Sequence, residues 1–126
     1  MVISIGVDII KTARFKGMTQ RFMTRVFTPY ERAYLSARGH ISAAGLFAAK
    51  EAAAKALGTG FRGFWPNQIE IVHDNLGRPG VVLHNKAAHI AGKLALDKRL
   101  YNYEISLSIS HTDTEAIAFV VISGQS

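Results

Sequence analysis

Apolar and polar positions change period several times along this 126-residue chain, and each change marks an element. Residues 2–10 (Val-Ile-Ser-Ile-Gly-Val-Asp-Ile-Ile) alternate loosely and are rich in Val and Ile, which predicts a strand. A short helical stretch is expected around Arg14, interrupted near Gly17. Thr28-Pro29-Tyr30-Glu31 reads as a helix start, because Thr28 can cap, Pro29 fits the first turn and Glu31 can complete a capping box. Gly39 is expected to end that helix. The clearest element is the Ala-rich run from Ser42 to Leu57, where composition favours helix and Gly58 can stop it in the left-handed conformation. Gln68 to Asp74 and Gly80 to His84 read as strands joined through the turn Asn75-Leu76-Gly77. Asn85 is expected to cap a helix running to about Arg99. Glu104 to Ser110 and Ala116 to Ile122 form a second expected hairpin, with His111-Thr112-Asp113-Thr114 at its bend. Interleaved hairpins and helices predict an α+β fold, an antiparallel sheet of hairpins packed on one long and several short helices, as one domain over residues 1–126.

Composition narrows the function. Hydrophobic residues make up 48% and charged residues 19%, ordinary globular usage. No apolar run approaches the roughly 20 residues that span a bilayer, so no membrane association is expected. The N-terminal stretch carries Asp8 within it and has no basic region before it, so it reads as a strand and not an export signal, and a cytoplasmic location is expected. The chain has no cysteine, which removes disulfides and thiolate metal sites. The formal charge is +6, and the excess is uneven: up to Arg38 there are seven basic residues against the two acids Asp8 and Glu31. A one-sided basic surface favours an anionic partner, which nucleic acid, an acidic protein or an anionic cofactor could be. Arg14, Arg21 and Arg25 could share one side of a helix, though Gly17 separates the first from the others. A nucleic-acid-binding module ranks low, because no binding motif is present and few aromatics stand near the basic run.

Four places could carry chemistry. Asp8 puts a carboxylate in an apolar strand, so it either faces water or needs a cation, a metal or hydrogen bonds. Glu51 and Lys55 lie one helical turn apart within Lys50-Glu51-Ala52-Ala53-Ala54-Lys55. That spacing suits an ordinary helix ion pair, but the helix around it is apolar enough to be closely packed, so Glu51 is expected to be only partly exposed, with a metal as a natural partner. Gly58-Thr59-Gly60 is either a helix stop and loop or a place where backbone amides approach an anion. His111 and Thr112 end a strand in which Ile105, Leu107 and Ile109 alternate with Ser106, Ser108 and Ser110.

Taken in order, these segments resemble the holo-acyl-carrier-protein synthases, the short group of 4'-phosphopantetheinyl transferases. The segments are Gly6-Val7-Asp8-Ile9-Ile10, Arg25-Val26-Phe27-Thr28, Ala44-Gly45-Leu46-Phe47-Ala48-Ala49-Lys50-Glu51-Ala52, Lys55-Ala56-Leu57-Gly58-Thr59-Gly60, Gly77-Arg78-Pro79 and Ser106-Leu107-Ser108-Ile109-Ser110-His111-Thr112. The resemblance implies a transfer of the 4'-phosphopantetheine of coenzyme A to a serine of an acidic acyl carrier protein in fatty acid biosynthesis, releasing 3',5'-ADP. It implies that Asp8 and Glu51 hold magnesium, that Lys55 stands by the scissile phosphate, and that Glu51 or Asp8 takes the serine proton. It implies coenzyme A contacts at Lys55, Gly58, Thr59, Gly60, His111 and Thr112, the last two near the 3'-phosphate. Carrier docking is implied at Arg14, Arg21 and Arg25, and a homotrimer with active sites between subunits. A coenzyme A binder without turnover is the other reading. The chain departs from the family pattern at Leu46, where Arg is usual, and at Lys11, where Glu is frequent. The segment Asn85 to Tyr103 is longer than in the shortest relatives.

Overall fold

The structure, a computed structural model, describes residues 1–125. Strand β1 (Val2–Lys11) is followed by a 3-10 turn (Thr12–Phe15) and helices α1 (Gln20–Val26), α2 (Pro29–Leu35) and α3 (His40–Leu57). A second 3-10 turn (Pro66–Gln68) leads into β2 (Ile69–His73), then β3 (Pro79–Leu83), α4 (Asn85–Asp97), β4 (Asn102–His111) and β5 (Glu115–Gln125). β1, β5 and β4 form an antiparallel sheet in that order, and β2 and β3 pair as a separate hairpin. The expected α+β architecture holds.

Helix α3 lies on the inner face of the three-stranded sheet. Its contacting residues are mostly alanines, Ala43, Ala44, Ala48, Ala49, Ala52, Ala53 and Ala56, all buried. They meet Ala116, Ala118, Val120 and Ile122, the alternate positions of β5, with Ile69 and Ile71 from β2 closing the core. In β4 the expected division appears: Ile105, Leu107 and Ile109 pack on this core, and the three serines point to solvent. Small side chains on a helix and a sheet let the two backbones come close. The extreme case is Gly6, where a Cβ would lie 2.0 Å from the carbonyl oxygen of Ala52.

The element boundaries differ from expectation where local side chains decide them. Residues 20–26 form α1, which the sequence pattern did not announce; Thr19 caps it by accepting from the Phe22 amide. The capping box at Thr28 and Glu31 forms as expected, but α2 stops at Leu35. A tight turn through Ser36 and Arg38 closes it, and Gly39 serves as the cap that starts α3. At α4, His84 holds the cap position and Asn85 is the first helical residue, with a positive φ of 50°. That helix ends at Asp97, short of Arg99, which is itself left-handed at φ 60°. Gly58 takes φ 85° and stops α3 as read from the sequence. Among the described residues no helix is long and apolar enough to cross a membrane.

Candidate active site

The alternation of β1 builds one wall of the site. Ser4, Gly6 and Asp8 are on the face turned to α3. The Ser4 hydroxyl donates to the carbonyl of Ala56 at 2.6 Å. Gly6 lies directly on Ala52. Asp8 accepts from the Lys55 ammonium at 3.0 Å, and the same ammonium donates to the Val7 carbonyl at 3.0 Å. Of the two readings for Asp8, the inward one is found: its side chain is 17% exposed, and its cation is Lys55 at 52%.

Glu51 sits one turn before Lys55 on the same side of α3 and is half-buried, as expected from the packing of its helix. It enters no ion pair among the described residues. Burial pushes its carboxyl pKa up, and the negative charge of Asp8 pushes it further, against the weaker opposition of Lys55 and Arg14. Two carboxylates that are 43 positions apart in the chain therefore feel one another across the α3–β1 seam. Such a pair, rich in hard oxygen and with Glu51 outside any ion pair among the described residues, fits a small divalent cation. No third His, Cys, Asp or Glu joins it to make a metal-binding group among the described residues. A magnesium ion fits that count, because it commonly takes one or two protein carboxylates and completes its shell with water and phosphate.

The remaining expected site residues divide into groups. Arg14 lies near enough for its charge to act on Glu51, with its guanidinium 5.5 Å from the centre of the Phe47 ring, and Phe47 precedes Glu51 by one turn. Arg21 and Arg25 are exposed on α1, separated from Arg14 by Gly17 at φ 68°. Arg25 lies over the exposed Trp65 ring at 5.6 Å. At Gly58-Thr59-Gly60 the amides of Gly58 and Gly60 donate to the carbonyls of Lys55 and Ala54. That run therefore does not present consecutive free amides to an anion; both glycines adopt positive φ to close the helix end. His111 lines a cavity of about 190 Å³ with Tyr34, Ser42, Leu46, His73 and Pro79. None of Asp8, Glu51, Lys55 or Gly58 to Gly60 lines it. Thr112 instead shapes the hairpin bend, its hydroxyl accepting from the amides of Thr114 and Glu115.

The sequence model of the 4'-phosphopantetheinyl transferase superfamily matches residues 4–118, a span that contains all of these residues. The chain belongs to this superfamily. Among relatives of this transferase, the holo-[acyl-carrier-protein] synthase of Clostridium perfringens is 45% identical over 99% of this chain and 96% of its own length. The crystal structure of the holo-[acyl-carrier-protein] synthase of Neisseria meningitidis matches with a TM-score of 0.79 at 35% identity, over 98% of this chain and 99% of that one. That of the Bacillus anthracis enzyme, in complex with coenzyme A (3',5'-ADP), matches with a TM-score of 0.77 at 32% identity, over 100% and 99% of the two chains.

One charged residue of this transferase escaped the sequence reading. Lys50, next to Glu51, is fully buried and pairs with Glu31 at 2.7 Å, both side chains having no exposure. Its signal was present: Lys50 falls within the apolar stripe of α3, three and four positions from Phe47 and Leu46. A charge there needs a buried partner.

Proposed function

We propose that this chain is a holo-acyl-carrier-protein synthase: it transfers 4'-phosphopantetheine from coenzyme A to a serine of an apo acyl carrier protein, giving the holo carrier and 3',5'-ADP. The observation that carries the reading is the convergence of Asp8, Glu51 and Lys55 where α3 crosses β1. Membership of the superfamily and the coenzyme A complex of the Bacillus anthracis relative support the substrate. The reaction belongs to fatty acid biosynthesis in the cytoplasm.

Asp8 and Glu51 would hold magnesium, which when bound supplies positive charge at the diphosphate of coenzyme A. The chain's own residues do the rest. Lys55, held by Asp8 and the Val7 carbonyl, keeps its ammonium in one place and stabilises charge on the departing 3',5'-ADP. Transfer of this kind depends chiefly on such positioning and charge. Of the two carboxylates, Glu51 suits the role of proton acceptor for the carrier serine better. Its raised pKa brings it nearer to working pH, where a base is most effective.

The assembly we propose is a homotrimer with active sites between subunits. Two observations support self-association. The outer face of the sheet leaves Ile5, Val7 and Ile9 of β1 beside Ile117 and Phe119 of β5, each at least 41% exposed. An apolar patch of that kind marks an interaction surface. Also, the residues expected to contact coenzyme A lie in two separate groups within one chain: Lys55 and Gly58 to Gly60 at the α3–β1 seam, and His111 beside a different cavity. A second copy would bring one group to the other. Arg14, Arg21 and Arg25 would receive the acidic carrier protein.

The test is to incubate the protein with apo carrier protein and coenzyme A, with magnesium or with a chelator, and weigh the carrier. We expect a mass gain of one phosphopantetheine only with the metal. No gain under any condition, despite coenzyme A binding, would leave a binder without turnover. Sedimentation of the wild type and of Val7→Asp tests the trimer, which the charge should break.

A further inference from the structure

Helix α3 must present Glu51 and Lys55 to Asp8 from a surface of mostly small side chains, with Leu46, Phe47 and Leu57 as the large apolar ones buried on it. Eight of its buried residues, including Ala54 at 0% exposure, are alanines. Short methyl groups make shallow ridges, and ridges are what fix how one element seats on another. Gly6 sets the distance between β1 and α3, and the apolar contacts around it are not directional. Among the described residues, Lys50 is the buried side chain of α3 whose contacts are directional, because it is held by hydrogen bonds and an ion pair.

Every hydrogen on the Lys50 ammonium has an acceptor: Glu31 at 2.7 Å, the carbonyl of Pro66 at 3.1 Å, and the carbonyl of Ile69. Glu31 is held just as firmly. Its Oε1 accepts from the Thr28 amide at 2.8 Å and its Oε2 from the Ile71 amide at 2.7 Å. The pair thus ties α3 to the first turn of α2, to the turn before β2, and to β2 itself. Thr28 extends the chain of contacts by donating to Glu70, which meets His84 at 3.0 Å. Taking two charges out of water is expensive, and a buried pair is a weak source of stability, whereas its best attested use is to set register.

We propose that Lys50, through Glu31, is a positioning residue for the transfer: the pair fixes the rotation of α3 and thereby carries Glu51 and Lys55 to Asp8. Adjacent helix positions are about 100° apart, so a side chain anchored at Lys50 determines where Glu51 points. The inference rests on the transferase reading for its consequence but not for its geometry.

The chain has no cysteine, so Lys50→Cys gives a single thiol. Alkylated while unfolded and then refolded, it becomes S-aminoethylcysteine, which restores the ammonium, or S-propylcysteine, which has nearly the same shape without charge. The aminoethyl form should recover kcat to within about 3-fold of wild type. The propyl form should fold but lose about 10–100-fold in kcat, the scale for a displacement of about 1 Å, with KM for coenzyme A and carrier nearly unchanged. Equal kcat in the two folded forms overturns the proposal, because the pair would then serve stability alone. Should the propyl form not fold, Glu31→Asp keeps both charges but draws the carboxylate back by one methylene, and it should show the same loss in kcat. A crystal structure of Glu31→Asp also reads the Lys55–Asp8 separation, 3.0 Å in the wild type, without reference to any reaction. A lengthened separation supports the positioning role even if the wild type proves to transfer nothing; an unchanged one overturns it.

Discussion

Lys50 with Glu31 on one side of α3, and Lys55 with Asp8 on the other, are both lysine–carboxylate pairs, at 2.7 Å and 3.0 Å, yet their surroundings are opposite. Around the first, every polar group is satisfied and no side-chain surface reaches solvent. Burial pushes the pKa of Lys50 down, and Glu31 works against that shift. Around the second, the lysine is half-exposed and Glu51 is left without a counter-charge of its own. The same chemistry suits architecture when its valences are closed, and in the proposed reading it suits a ligand when they are left open. A complete network resists change, whereas a carboxylate whose charged form is disfavoured by its surroundings can gain by binding a cation or a proton.

The comparison can be broken from either side. The largest effect is expected at the open pair: Asp8→Asn or Glu51→Gln should lower the transfer rate by at least about 10²–10³-fold, the scale for losing a charge-stabilising group. Mass spectrometry of the carrier measures this, and an unchanged circular dichroism spectrum shows that the fold survives. At the closed pair, Lys50→Ala leaves Glu31 buried without its cation and should destabilise the protein by about 3–5 kcal/mol in urea unfolding. Gly6→Ala strikes the seam between the two. Its Cβ meets backbone and not a side chain that can turn away, so about 1–3 kcal/mol should be lost, together with part of the activity. Lys55→Ala sharpens the contrast, because an exposed pair contributes at most about 1 kcal/mol while the rate should still fall clearly.

The smallest effect concerns pH. The raised pKa of Glu51 means that the folded state holds that proton more tightly than the unfolded chain. Stability therefore falls as pH rises from the ordinary value of 4.5 through the raised one. Glu51→Gln should raise Tm slightly above that window in the absence of metal and change nothing below it. A wild-type Tm equal to that of the variant at neutral pH would show that Glu51 carries no such strain.

Much of this was legible before any coordinates. The period-2 run of β1, the helix over Ser42 to Leu57 with its glycine stop, the capping box at Thr28 and the inward aliphatics of β4 all depend on neighbours within a few residues. Asp8, Glu51 and Lys55 were also legible as candidates, through the order of the family's motifs, and the structure brings the three together. Helix α1 was not, because seven residues bearing Phe, Met and Val among two arginines carry too little periodicity to declare a face. Nor was the buried role of Lys50, which needs Glu31 of α2 and two carbonyls near β2 to become intelligible.

The sequence by itself determined the α+β class, most of its elements and the family to which the chain belongs, since these follow from local patterning and from residue types at fixed spacing. Only the tertiary structure decided which face of β1 turns to α3, that Asp8 meets Lys55 across 47 positions, and that two adjacent charges of one helix, Lys50 and Glu51, point to opposite fates. The physical reason is that exposure, pKa and partnership are properties of the space around a group. Contacts between residues far apart in the chain create that space, and no local pattern encodes it.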